Sequence, residues 1–267
     1  MKRTIASTLA LTALLAAAGV HAQEQTSAAP AEKPAEPASA AAPAAAGVTY
    51  NLGAVTDYRY RGISQTRTHP AIQGGADWTD PASGLYVGTW LSSITWARDA
   101  GGGGHVEMDV YAGKRGDLGG GFSYDVGLLG YIYPGNDLGD VPGFVNGDTG
   151  ELYGQVGYGP VYVKYSNALT NLFGFVDSRY SSYTDLGANL DAGNGITVIL
   201  HAGRQHVSHS SNASYTDWKI GVSKAWGPTT ATLAWVQTNA QEAAYTSAAN
   251  GKFLGRNGVV LSVVRTF

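Results

Sequence analysis

The sequence predicts an all-β protein, a transmembrane antiparallel up-and-down β-barrel of about 12 strands with both termini periplasmic. Three observations carry that expectation. Apolar and polar side chains alternate along many short segments, the connections between segments alternate short and long, and the chain closes on a strand that ends in an aromatic residue. The composition agrees: Gly at 37 residues, Tyr outnumbering Phe by 16 to 6, and only 14% charged residues favour short strands and tight turns over helices.

The N-terminus reads as an export signal. Lys2 and Arg3 give a positive start, residues 5–20 form an apolar run, and Val20-His21-Ala22 is a small-residue cleavage site, so residues 1–22 are expected to be removed. Residues 23–46 are almost wholly Ala, Pro, Glu and Ser, a composition that cannot bury enough apolar surface to offset the entropy of ordering it. They read as a linker, either a tether reaching through the periplasm or, more simply, a passive spacer. The barrel is assigned to residues 47–267. With 0 cysteines there is neither a disulfide framework nor a lipid-modified Cys after the signal.

Period-two alternation begins with Tyr50, Leu52, Ala54, Tyr58 and Tyr60 on one face, against Thr49, Asn51, Gly53, Asp57 and Arg59 on the other. It returns in Val106, Met108, Val110 and Ala112 against Glu107, Asp109 and Tyr111, and in Phe122, Tyr124, Val126 and Leu128 against Ser123, Asp125 and Gly127. Leu152, Val156 and Tyr158 oppose Glu151, Tyr153 and Gln155, while Trp218, Ile220 and Val222 oppose Asp217, Lys219 and Ser223. Strands are expected to start near residues 48, 70, 85, 105, 121, 149, 161, 181, 195, 215, 229 and 258. Each is about ten residues long, the length a tilted strand needs to cross a bilayer.

Connections at 80–84, 116–120, 159–160, 191–195 and 227–228 are tight and rich in Gly and Pro, as periplasmic turns are. Those at 97–104, 134–148, 167–180, 207–214 and 239–257 are longer and fit external loops; the first, near 64–69, is shorter than this rhythm requires. Aromatic residues at strand ends (Tyr58, Tyr60, Trp78, Trp96, Tyr133, Tyr158, Tyr165, Trp226) suggest interfacial girdles. The final strand, with Val259, Leu261, Val263 and terminal Phe267 in register, has the form of a signal to the barrel-assembly machinery.

Several blocks also resemble a known family. Asn51 to Gln65 (NLGAVTDYRYRGISQ), the set Pro70, Ala71, Gln73 and Gly74, Gly84 to Trp96 (GLYVGTWLSSITW), Tyr215 to Lys224 (YTDWKIGVSK) and Val260 to Phe267 (VLSVVRTF) look similar to the TorF family of porin-like proteins, earlier catalogued as the uncharacterised Gcw_chp proteins of proteobacteria. The "DYRYRGISQT" block is the most specific, and Thr89 stands where the older family name implies Cys. The resemblance implies a porin-like outer-membrane barrel, with no established substrate and no catalytic residues.

Residues that could carry chemistry are few. His201, His206 and His209 with Ser208, Ser210 and Ser211 form the densest group, but His201 and His206 differ by an odd number and face opposite sides of a continuous strand. A metal there needs a bulge or a folded-back loop, so a lumen histidine beside a polar surface loop is the preferred reading. No Ser sits in a Gly-flanked elbow, and residues 101–104, all Gly, lack the Lys and helix of a phosphate cradle. A net charge of −3 with scattered basic residues gives no nucleic-acid footprint.

The informative set is the inward stripe: Asp57, Asp77, Glu107, Asp109, Asp125, Glu151, Asp185 and Asp217 as acids, Arg59, Arg61, Lys164 and Lys219 as bases, and His201. Acids outnumber bases, so a water-filled lumen is expected to show mild cation preference. The expected function is passive diffusion of small hydrophilic solutes through an outer-membrane porin, without a cofactor and without enzyme activity. A plugged structural or adhesive barrel acting through its external loops is the first alternative, and an outer-membrane hydrolase the second. Outer-membrane lipid, the assembly machinery and small solutes are the expected partners.

Overall fold

A computed structural model describes residues 46–267; the expected signal and all but the last residue of the expected linker lie outside the described residues. In chain order the strands are β1 (Gly47–Val55), β2 (Arg59–Tyr60), β3 (Ile63–Ser64), β4 (Ala71–Asp80), β5 (Leu85–Ser93), β6 (Val106–Gly119), β7 (Phe122–Ile132), β8 (Thr149–Tyr158), β9 (Val161–Ala168), β10 (Ser182–Asp191), β11 (Ile196–His206), β12 (Tyr215–Trp226), β13 (Thr229–Thr238) and β14 (Gly258–Thr266). All except β2 and β3 form one closed antiparallel barrel of twelve strands, each pairing with its neighbours in sequence and β1 closing onto β14. Every expected strand start lies within one residue of the observed one.

The rhythm of connections follows from local chemistry. At Gly159-Pro160 and Gly227-Pro228 the glycine takes a positive φ, +54° and +56°, and the proline supplies the fixed negative φ of the second turn residue, a combination that reverses two strands in two residues. These turns lie at the rim where the barrel begins and ends: the Tyr50 and Phe267 backbones bond each other in both directions, at 3.2 and 2.8 Å. The long connections lie at the opposite rim. There the 96–104 loop carries a short helix, α1 (Trp96–Asp99), and the 239–257 loop another, α2 (Glu242–Tyr245).

The direction of the apolar side chains decides what the barrel is. Leu52, Val110, Val126 and Ile220 are 56%, 41%, 46% and 54% exposed, whereas Glu107, Asp109, Asp125 and Asp217 are at most 2% exposed. The oily face points out and the acidic face in, the reverse of a soluble barrel and the arrangement a hydrocarbon solvent demands. Trp78, Tyr158, Tyr165 and Trp226 are exposed on the outer surface, consistent with girdles.

The first segment departs from expectation. β1 stops at Val55 instead of continuing through Tyr58 and Tyr60, and residues 56–70 fold into the barrel as a hairpin of β2 on β3. Arg61 and Gly62, at φ +47° and +79°, form a turn with positive φ at both central residues, the geometry that matches strand twist in a two-residue hairpin. Alternation continues through this turn in the sequence, which is why it reads as one strand. Tyr58 therefore lies inside at 1% exposure, not in a girdle, and Tyr60 packs with it against the interior cluster. Tyr133 is also buried, with Trp96 edge-on to it at 4.9 Å, so neither belongs to the outer aromatic belt.

Candidate functional site in the barrel interior

Inward side chains form a continuous polar network. The antiparallel registers set Gln155 beside both Asp125 and Lys164, Lys164 beside Asp185, Asp185 beside Gly203, and Gly203 beside Asp217, a row from β7 to β12. Tyr183 on β10 crosses Gly203 on β11 and donates to Asp217 Oδ1 at 2.8 Å on β12. A Cβ at position 203 would come within 1.8 Å of the Tyr183 hydroxyl, so only glycine allows this crossing. Tyr111 crosses Gly88 in the same way to donate to Asp77 Oδ1 at 2.5 Å. Tyr86 donates to Asp125 Oδ1 at 2.5 Å and shares a hydrogen bond with the Tyr153 hydroxyl.

His201 sits between two carboxylates, with Nδ1 2.9 Å from Asp185 Oδ1 and Nε2 2.8 Å from Asp217 Oδ2. Each ring nitrogen is thus within hydrogen-bond reach of one carboxylate, which fixes the plane of the imidazole between β10 and β12. Lys164 is buried with its ammonium 4.1 Å from the Tyr153 ring centre, and Lys219 pairs in register with His201.

The hairpin supplies the centre of the site. Arg61 donates from Nη2 to Glu151 Oε2 at 2.7 Å and from Nη1 to Gln205 Oε1 at 2.9 Å, while its guanidinium lies 4.4 Å from the Tyr183 ring and 4.8 Å from the Tyr60 ring. Tyr131 also donates to Glu151, at 3.2 Å. Arg59 binds Asp57 at 2.7 Å and reaches the Arg256 carbonyl at 2.5 Å; Ser64 donates to Asp57 Oδ1 at 2.5 Å. Tyr58 donates to Glu107. Asp57, Arg59 and Arg61 thus meet the barrel's inner wall from an inserted hairpin, not from the strand on which the sequence pattern sets them. Asp109 is fully buried, and neither of its carboxylate oxygens has a hydrogen-bond partner among the described residues.

At the long-loop rim the connections knit together over this centre. Arg67 pairs with Asp99 of α1 at 3.2 Å, Ser247 donates to the same carboxylate at 3.3 Å, and Lys252 donates to the Thr68 hydroxyl. Ile63, Tyr215, Ala240 and Leu254 form an apolar cluster beneath them. Burial decreases toward the tight-turn rim, where inward Asn51, Asp77, Arg115 and Thr230 are only half-buried. Inward side chains are thus more accessible toward the tight-turn rim than on the loop side.

The three histidines do not meet. His201 faces inward, His206 is exposed on the outer surface, and His209 lies in a loop with Nδ1 3.4 Å from Asp177 Oδ2. Among the described residues no cluster of His, Cys, Asp and Glu is arranged to hold a metal, and no Ser or Thr hydroxyl bonds a histidine nitrogen. Reading charges alone misses the tyrosines, Tyr86, Tyr131 and Tyr183 above all. Their signal is present in sequence as inward tyrosines whose neighbouring strand offers an inward glycine.

Residues 38–267 match the family described as "Bacterial protein of unknown function (Gcw_chp)". The chain belongs to the Gcw_chp family. No curated protein matches the sequence. Among solved structures, the Gcw_chp chain is similar to a KdgM porin at TM-score 0.51 and 8% identity, covering 82% of this chain and 98% of that one. A KdgM porin in complex with disordered oligogalacturonate aligns at TM-score 0.50, with the same identity and coverage. At such identity the likeness is one of fold: the Gcw_chp barrel has the architecture of outer-membrane porins.

Proposed function

We propose that this Gcw_chp chain is a porin-like channel of the bacterial outer membrane for small hydrophilic solutes, as its resemblance to the TorF proteins implies. Residues 1–22 direct export, both ends of the barrel lie in the periplasm, and the strand ending at Phe267 addresses the assembly machinery. The observation that carries this reading is the inverted barrel, apolar outside and charged inside, because a wall of that kind is stable only with hydrocarbon around it. The path runs from the half-buried tight-turn end, past Lys164, Asp185, His201, Asp217 and Lys219, to the hairpin that carries Arg61. Displacing that hairpin opens the loop side.

The inward acids exceed the bases, which favours cations in the lumen. In a planar bilayer with asymmetric KCl, the reversal potential is expected to have the sign of modest cation selectivity; an anion-selective potential overturns that preference. A second reading, a plugged barrel acting through its external loops, draws on the buried hairpin and the knitted connections above it. Liposome swelling with small sugars separates the two: solute entry supports the channel, and no entry even after hairpin removal supports the scaffold.

A further inference from the structure

Most strands keep an apolar outer face up to the long-loop rim. Near that rim Ile72, Leu91, Val106, Ile132 and Leu152 point outward from β4 to β8, the residues at 72, 91, 106 and 152 all substantially exposed. On β9 to β12 the pattern breaks. The outward positions there are Asn167, Ser182, Thr184, Arg204, His206 and Thr216.

Strand register fixes their arrangement. Tyr165 pairs with Thr184, Thr184 with Arg204, and Arg204 with Thr216, so these four form one row across four strands; Ser182 pairs with Asn167 and His206 in the next row toward the rim. Trp218 is the next outward residue after Thr216. Arg204 therefore lies level with one exposed aromatic and a step above another, at the depth where amphipathic rings meet headgroups. Among the described residues its guanidinium makes one hydrogen bond, Nη1 to Thr216 Oγ1 at 3.3 Å, and no ion pair. The rest of the planar fork faces the surroundings.

More positive charge adjoins this window. Arg179 is exposed in the β9–β10 connection, its guanidinium 5.3 Å from the Tyr180 ring centre, and Asn167 Nδ2 donates to the Tyr180 carbonyl at 3.3 Å, which holds the connection against the top of β9. Leu169, Val176 and Tyr180 are exposed beside it. The acid nearby is Asp177, which faces His209.

We propose that this window binds the phosphate headgroup of an anionic membrane lipid. Arg204 and His206 face the phosphate, Arg179 approaches from above, the Thr184 and Thr216 hydroxyls donate to its oxygens, and the acyl chains descend over Tyr165, Leu186 and Trp218. An unpaired guanidinium on a hydrocarbon-facing wall is disfavoured, and a phosphate in the adjoining leaflet supplies the bidentate partner it lacks. The inference rests on the bilayer-spanning reading above.

The test is native mass spectrometry of the detergent-purified barrel titrated with phosphatidylglycerol or phosphatidylcholine, after vesicle insertion has been checked by heat-modifiable migration. Phosphatidylglycerol is expected to bind at least about tenfold tighter, and R204Q to lose about fivefold of that affinity, the effect of one basic residue at a charged membrane surface. K114Q, a change at an outward lysine near the tight-turn rim, is expected to leave it unchanged. Equal affinity for the two lipids, no effect of R204Q, or an equal loss in K114Q overturns the proposal. Displacement by millimolar inorganic phosphate identifies a soluble-anion site and likewise overturns it. Failure to insert overturns the channel reading with it; insertion without lipid preference overturns this inference alone.

Discussion

Gly203 and Arg61 show how single residues decide this interior. Because a Cβ at 203 collides with the Tyr183 hydroxyl at 1.8 Å, Gly203→Val is expected to expel Tyr183 and strip Asp217 of a donor, destabilising the barrel by about 1–3 kcal/mol. The temperature at which the folded band disappears in heat-modifiability gels measures the loss, and an unchanged temperature refutes the crossing's importance. Arg61→Ala leaves Glu151 with Tyr131 as its remaining donor among the hydrogen bonds described above. In a sealed interior, breaking such a buried pair costs about 3–5 kcal/mol, a cost that water entry relieves. The variant is therefore expected to conduct several-fold better than the parent in planar bilayers; equal conductance argues against Arg61 as the latch.

The inserted hairpin is the element on which the proposed channel depends. Val55 and Ala71 are register partners, so the wall strands on either side of residues 56–70 already stand close enough for a short turn to join them. Replacing 56–70 by a Gly-rich hairpin turn is expected to preserve folding and to raise single-channel conductance. A variant that folds and stays shut places the closure elsewhere, in the knitted 96–104 and 239–257 connections. The sequence makes the strands legible because each carries its own period-two signal. Hairpin insertion is not legible, since Asp57, Arg59 and Arg61 alternate with Tyr58 and Tyr60 as any half-wet strand does. Only the Arg61-Gly62 pair marks the reversal locally, and what it packs against, Glu151 and Gln205, comes from distant strands.

At the scale of the whole molecule, the inverted distribution of apolar and charged groups was legible, and the way the charged groups pair was not. Alternation orients Glu151, Asp185 and Asp217, but their partners follow from barrel register and from tyrosines crossing glycines, which emerge only once twelve strands close. Closure has its own cost. The seam joins the first strand to the last, its register running from Asn51–Thr266 to Val55–Ser262, and Phe267 extends it through two backbone bonds to Tyr50. Deleting Phe267 removes those bonds, and the fraction reaching the folded, protease-resistant form is expected to fall several-fold in cells; full recovery of folded protein contradicts this. Until that last zip is fastened, the chain is a curled ribbon with two raw selvedges, each able to pair with a stranger. Contacts between the far ends of a chain also form slowly. A wall whose edges vanish only when its first and last strands meet is open to mispairing for as long as that meeting takes.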